Sequence, residues 1–268
     1  MRRVTYEDGV AYRFAVHASK KNEPEGPEAV FGTVERILQM DPFVMSDTHF
    51  FHEKVYQQYC PSRQTFAESH KTFDSKLLGV LRQCSAILHL GDLCIDSRGS
   101  IEKTEKRVKT VSLALCGIPK ILVKGNHDSL PDSFYEENGW AVVSSIVDVA
   151  RRRTITGPPA IVFEAKHGPV IATHFPAYVG KDEAFDDRYR SERAHLSSVR
   201  QEIDAWVNLH GHTHEHSVPD PTTLNMSVEA IGFSPKRLSE IVGPYIHHSL
   251  LTKHESNPTV SIRSQSSR

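Results

Sequence analysis

The chain has 268 residues, 38% hydrophobic and 24% charged, which suits a soluble globule of one large α/β domain or two small ones. A formal net charge of −1 at pH 7 supplies no bulk field toward DNA or an anionic membrane, so charge does not indicate nucleic acid as a partner, although a local basic patch stays compatible with it. No apolar run approaches the roughly 18 residues of a membrane span, and the N-terminus lacks the apolar core of a secretory signal.

Residues 1–40 read as an N-terminal extension. A short strand is expected at 11–16, linker composition (KKNEPEGPE) fills 20–28, and a helix over 29–40 turns Val30, Val34, Ile37 and Leu38 to one side. From residue 42 the pattern becomes regular. Phe43-Val44-Met45 predicts a strand ending at Ser46-Asp47. Residues 70–82 predict a helix burying Phe73, Leu77 and Leu81. The run AILHL (86–90) predicts a buried strand ending at Gly91-Asp92, with His89 as a satisfied core histidine. A second helix over 101–115 places Ile101, Val108, Val111 and Leu115 on one face, and a strand over 120–123 ends at Gly125-Asn126-His127-Asp128. Strands alternating with helices predict βαβ layering and a partly parallel sheet. Further on, 141–149, 160–163 and 170–173 suggest an antiparallel meander. A helix over 191–204 buries Leu196, Val199 and Ile203, and short strands follow at 206–209 and 223–226. The Ser-rich end, 253–268, reads as a polar tail. Cys60, Cys84, Cys94 and Cys116 show no CxxC spacing, which favours free thiols in a reducing, cytoplasmic setting.

The chemistry sits at the strand ends: Asp47-Thr48-His49, Gly91-Asp92, Gly125-Asn126-His127-Asp128, Thr173-His174 and Gly211-His212-Thr213-His214. A lone polar residue at a strand end is usually a cap or a turn. Five such clusters, at the edge where α/β sheets bind ligands, point to one shared site. Carboxylate oxygens and imidazoles without thiolates suit divalent Mn, Fe, Zn or Ni rather than a structural cysteine-type zinc. Asp-x-His and His-x-His place two ligands on the same side of an extended chain.

These blocks, in this order across residues 42–226, resemble the calcineurin-like metallophosphoesterase superfamily. The resemblance implies an α/β fold, a four-layer α/β/β/α sandwich of two mixed sheets flanked by helices, with the metallophosphoesterase domain over 41–252. It also implies two divalent transition-metal ions, manganese first among the candidates. Asp47, His49 and His214 would hold one ion, Asn126, His174 and His212 the other, and Asp92 would bridge them. His127 would be the general acid, Asp128 would orient it, and Asn225 would be structural. The implied reaction is phosphoester hydrolysis by a metal-bridging hydroxide, leaning toward a phosphodiester or a small activated ester.

His52 matches a subgroup pattern of DTHFGHxNI type and is either the candidate substrate contact or an exposed loop histidine, and Phe51 and Lys54 replace the usual Gly and Asn. His210 and His216 flank the last motif without being expected to ligate. Arg151-Arg152-Arg153 reads as a solvated turn before a phosphate patch, and residues 175–192 read as a lid that selects substrate ahead of an insertion with no role. A phosphorylated small molecule or nucleotide-type substrate follows, with no membrane partner, and the sequence leaves the oligomeric state open. Two alternatives remain: a nucleic-acid end-processing nuclease or phosphodiesterase using the same site, and a non-catalytic scaffold. The intact ligands and His127 favour the enzyme.

Overall fold

The computed structural model describes residues 27–95, 99–180 and 187–247. The expected strand at 11–16, the linker composition of 20–26 and the polar tail at 253–268 lie outside them. The first helix, α1 (Pro27–Gln39), starts on a proline, whose fixed φ suits a first helical turn. It buries Phe31, Val34, Ile37 and Leu38. The chain then runs through β1 (Phe43–Met45), a π-helical turn at Val55–Tyr59, α2 (Ser62–Phe66), α3 (His70–Leu81), β2 (Ile87–His89), α4 (Ile101–Ala114), β3 (Lys120–Val123), α5 (Asp132–Glu137) and β4 (Ala141–Val143). The second half comprises β5 (Ile146–Asp148), β6 (Arg153–Ile155), β7 (Ala160–Ala165), β8 (Gly168–Thr173), α6 (Arg190–Glu202), β9 (Val207–His210), β10 (Thr223–Asn225), β11 (Lys236–Arg237) and α7 (Leu238–Val242).

Two mixed sheets result. One has the order β11-β1-β2-β3-β4, parallel except for β11; the other has the order β10-β9-β8-β7-β5-β6. Their inner faces meet in one core, where Val44, Leu88, Ile121 and Val143 pack with Val147, Ile161, Phe163 and Leu209. The outer face of the first sheet is covered by α3 and α4 through Phe73, Leu77, Val108 and Val111. The outer face of the second is covered by α6 through Leu196, Val199 and Ile203. This is the α/β/β/α sandwich. β2 and β3 are buried along their whole length, which is why Ile87-Leu88 and Ile121-Leu122-Val123 read as continuous apolar runs rather than alternating ones. Among the described residues no helix is long and apolar enough to cross a membrane.

Two expectations need correction. The segment read as a meander strand, 141–149, is cut at Ser144-Ser145. β4 joins the first sheet parallel to β3, whereas β5 joins the second sheet parallel to β7. Within the second sheet, only the β7–β8 and β5–β6 pairs are antiparallel among the described residues. Apolar content is equally high on both sides of the break, so hydropathy could not reveal that the chain changes sheets. In α4, Ile101 is 67% exposed, because the first turn overhangs the sheet that Val108 and Val111 pack against.

Candidate metal centre

The five motif blocks leave β1, β2 and β3 of one sheet and β8 and β9 of the other, all at carboxyl ends of strands. They converge there. Asp47, His49, Asp92 and His174 are all at most 3% exposed. The backbone that presents them is unusual: Asp47, His49, Asp92, His212 and His214 all have positive φ, between 45° and 69°. L-residues reach this region only under local strain, and such strain collects at functional sites. Gly91, at φ 97°, lies where a Cβ would come within 2.7 Å of His174 Nδ1. Gly211 serves by proximity instead, since a Cβ there would strike Ser46 Oγ and Asp47 Oδ2.

One set of side chains consists of Asp47, His49 and His214. Asp47 Oδ1 lies 3.9 Å from His49 Nε2 and 4.0 Å from His214 Nε2. The other Asp47 oxygen accepts the His212 N–H at 2.8 Å and the Ser227 hydroxyl at 3.0 Å. Burial opposes ionisation of Asp47, but the neighbouring His174 and His214 rings outweigh it and hold the carboxyl well below its ordinary range. The second set is Asn126, His174 and His212: Asn126 Oδ1 sits 2.9 Å from His174 Nε2 and 3.1 Å from His212 Nδ1. His174 donates Nδ1–H to the Leu90 carbonyl at 2.9 Å, which leaves Nε2 as the lone-pair nitrogen. Asp92 stands between the sets, with Oδ2 3.5 Å from His49 Nε2 and 3.6 Å from His174 Nε2. Burial and the neighbouring Asp47 charge push Asp92 up to about 7.

These residues fit divalent cations. Among the described residues, Asp47 Oδ1 and both ring nitrogens of His49 are buried without a hydrogen-bond partner, a costly arrangement that a cation on Asp47 Oδ1 and on one His49 nitrogen would relieve. The groupings Asp47–His49–His214 and Asp47–Asp92–His174 each bring ligand atoms within 4.8 Å of one another.

His127 sits at the rim, its side chain 42% exposed and its Nε2 3.9 Å from Asp92 Oδ2. Its backbone N–H donates to Asp92 Oδ1 at 2.9 Å, so the peptide is pinned while the ring stays at the opening. Asp128 departs from the role expected of it. Its carboxylate accepts the N–H groups of Asp92, Leu93 and Gly125 at 2.7, 3.1 and 2.9 Å, and ties the GD and GNHD loops together rather than bonding the His127 ring. His52 is half-buried, 5.9 Å from the His49 ring, and accepts the Val55 N–H on Nδ1. Burial, with the charges of His127 and Arg107, brings it down to about 4, so it is a neutral donor through Nε2.

Other residues fall where the sequence suggested. His89 is fully buried, accepts the Gly91 N–H on Nδ1, and its Nε2 lies 3.0 Å from the Thr48 hydroxyl. Asn225 donates to the carbonyls of His214 and His216 at 2.7 and 3.0 Å, fastening the last motif. Arg151 and Arg153 pair with Asp148, and Arg152 with Glu35, so the triple arginine is matched by carboxylates. From the expected lid, Phe175 and Tyr189 stack at 4.7 Å and both meet the His212 ring edge-on, while residues 181–186 lie outside the described residues.

Sequence reasoning missed a buried support behind His214. Arg63, 1% exposed, donates Nη2–H to the Asp47 carbonyl at 2.6 Å, Nη1–H to the Thr48 carbonyl at 2.8 Å, and Nε–H to Glu229 Oε1 at 2.6 Å. Glu229 Oε2 then lies 3.4 Å from His214 Nδ1, with Cys60 Sγ 3.3 Å from the same nitrogen. Cys60, His214 and Glu229 could themselves frame a cation, but the Arg63 guanidinium already neutralises Glu229 at 2.5 Å, and burial keeps the Cys60 thiol protonated. The group therefore orients His214 from behind. Arg63 and Glu229 are 166 residues apart, and no local pattern could have paired them.

Comparison with known proteins gives the family. The model of the calcineurin-like phosphoesterase superfamily domain matches residues 40–226. An uncharacterized protein of Methanocaldococcus jannaschii is 22% identical over 209 residues, covering 75% of this chain and 88% of its own. Among solved structures, a protein of unknown function from Aquifex aeolicus aligns with 22% identity and a TM-score of 0.49, over 74% of this chain and 96% of that one. A conserved uncharacterized protein of Streptococcus pneumoniae, described as a predicted phosphoesterase, aligns with 18% identity and a TM-score of 0.29 over 69% of each chain. On the sequence match, which spans well over half of its length, the chain belongs to the calcineurin-like phosphoesterase superfamily, whose chemistry is metal-dependent hydrolysis of phosphoesters.

Proposed function

We propose that the protein hydrolyses a phosphodiester or a small activated phosphoester at a two-ion centre. The ligand sets would be Asp47–His49–His214 and Asn126–His174–His212, with Asp92 shared. The observation that carries the reading is the unpartnered, buried state of Asp47 Oδ1 and the His49 nitrogens at the meeting point of five strand ends. Two divalent ions, when bound, polarise the phosphoryl oxygens and acidify a water. Manganese is the ion proposed, on the oxygen-and-imidazole donor set.

The remaining roles belong to the chain. His52, neutral and half-buried, donates a hydrogen bond to a non-bridging phosphoryl oxygen. His127, at the opening, gives a proton to the departing oxygen. Asp128 keeps the two loops in register, so that Asp92 and His127 hold their relative placement. An exposed His127 beside intact ligands supports an enzyme over a scaffold. The four free thiols, three of them buried, support a cytoplasmic setting.

The test is turnover of p-nitrophenyl phosphate and bis-p-nitrophenyl phosphate by manganese-loaded protein. We expect hydrolysis with preference for the diester. Efficient turnover of phosphoserine peptides without diester activity would reverse the substrate assignment.

A further inference from the structure

The buried face of α3 is made of Phe73, Leu77, Leu78 and Leu81, and it also carries an acid, Asp74, which is 5% exposed. A carboxyl on an apolar helix face is costly unless its oxygens are bonded. Both Asp74 oxygens accept the same amide, the Phe51 N–H, at 3.3 and 3.2 Å, and among the described residues the acid has no other hydrogen-bond partner.

That amide belongs to a strained turn. The His52 N–H donates to the His49 carbonyl at 3.0 Å, which closes a four-residue turn over 49–52. Phe51 is the third residue of the turn, with φ 64°. A positive φ at this position is what a type II turn requires and what glycine supplies without steric cost. A bulky aromatic residue rarely adopts it, and such strain persists only where the surroundings over-determine it.

The first half of the turn is fixed by β2 and the loop after it. The His49 N–H donates to the Asp92 carbonyl at 3.0 Å and the Phe50 N–H to the Leu93 carbonyl at 2.9 Å. The next amide, that of Phe51, goes to α3 instead. Immediately after it comes His52, half-buried, with its ring 5.9 Å from that of His49. His52 Nδ1 is taken by the Val55 N–H at 3.1 Å, so Nε2 is the ring atom left for substrate. Rotation about the Phe51 N–Cα bond would swing His52 away from that placement.

We propose that Asp74 is a positioning residue: by holding the Phe51 amide it keeps the turn in the shape that aims His52 Nε2 at the phosphoryl group. The inference rests on the hydrolytic reading above and on the part His52 plays in it. Asp74 acts through the turn, and the group that touches substrate is His52.

The test is a double-mutant cycle on kcat/KM for bis-p-nitrophenyl phosphate with manganese-loaded protein. Asp74→Ala should lower kcat/KM about tenfold or more at unchanged metal content. Asp74→Asn, which keeps an oxygen for the amide, should stay within about twofold of wild type. In a His52→Ala background Asp74→Ala should cost nothing further, because the side chain it aims is gone, whereas a merely structural acid gives losses that add. Phe51→Gly supplies a second check, and keeps the test decisive if Asp74→Ala alone does not fold. Glycine takes the positive φ unaided, so in that background Asp74→Ala should fold and change kcat/KM less than about threefold. The proposal is overturned, with the hydrolytic reading left standing, by an undiminished Asp74→Ala or by an Asp74→Asn as impaired as Asp74→Ala. Losses that add to those of His52→Ala, or a full loss in the glycine background, overturn it equally. If wild type hydrolyses no p-nitrophenyl ester, the hydrolytic reading falls and calorimetric titration of the manganese-loaded protein with inorganic phosphate decides the positioning. Affinity lowered by Asp74→Ala, and no further in the His52→Ala background, supports it. Equal or additive affinities, or no binding by wild type, overturn it.

Discussion

Asn126 and His127 are neighbours in the chain with opposite surroundings. The Asn126 side chain lies between His174 and His212, while the His127 ring stands at the opening with its peptide fixed to Asp92. Asn126→Ala should therefore lower metal content and activity for every leaving group. His127→Ala should keep its metal and lose about 10²–10⁴ in rate on an alkyl ester, but far less on p-nitrophenyl esters, whose leaving group departs without a proton. Metal loss in the His127 variant, or equal defects on both esters, would contradict the assignment. Asp74 gives a second test. Burial pushes its carboxyl from an ordinary 3.8 up to about 7, against the pull of the Phe51 N–H and of Arg63. The folded state thus holds a proton that the unfolded state has lost. The contribution of Asp74 to stability is full below pH 3.8 and declines as pH rises toward 7. The melting temperature of Asp74→Asn should gain on that of wild type as pH rises from about 4 to about 7, and the gap should level off above that. A difference in melting temperature that ignores pH would count against this.

At the scale of elements, what the sequence made legible were the strands that end in ligands and the helices long enough to show a period. α3, α4 and α6 declare their buried faces, and β2 and β3 carry the apolar runs Ile87-Leu88 and Ile121-Leu122-Val123. The five-residue α2 and α7 and the two-residue β11 are too short for any period to register. The same limit hid the site's support. Candidate ligand positions repeat a family motif, but α2 delivers Arg63 to Asp47, Thr48 and Glu229 only once the sheets are assembled, and the loop-to-loop amide bonds of Asp128 leave no sequence trace. The Arg63–Glu229 pair is buried on both sides, at 1% and 0% exposure. Arg63→Met should cost about 3–5 kcal/mol in urea unfolding by leaving Glu229 unpaired. Adding Glu229→Gln should recover part of that loss. A single variant as stable as wild type would show that the pair does not hold the loop.

Across the whole molecule, the site depends on two sheets packed face to face, since each contributes part of both candidate ligand sets. α1 lies outside the matched span of 40–226 yet places Leu38, 1% exposed, in the core between the sheets. Leu38→Ala should cost about 2–5 kcal/mol, while a cost within that of a surface change would detach α1 from the fold. The central claim is the two-ion centre. Elemental analysis of exhaustively dialysed protein, paired with bis-p-nitrophenyl phosphate turnover before and after chelation, tests it most directly. The account predicts about two transition-metal ions per chain, hydrolysis abolished by chelation and restored by manganese, and a lower melting temperature for the stripped protein. One ion at most with full turnover, or turnover that survives complete removal of metal, would contradict it.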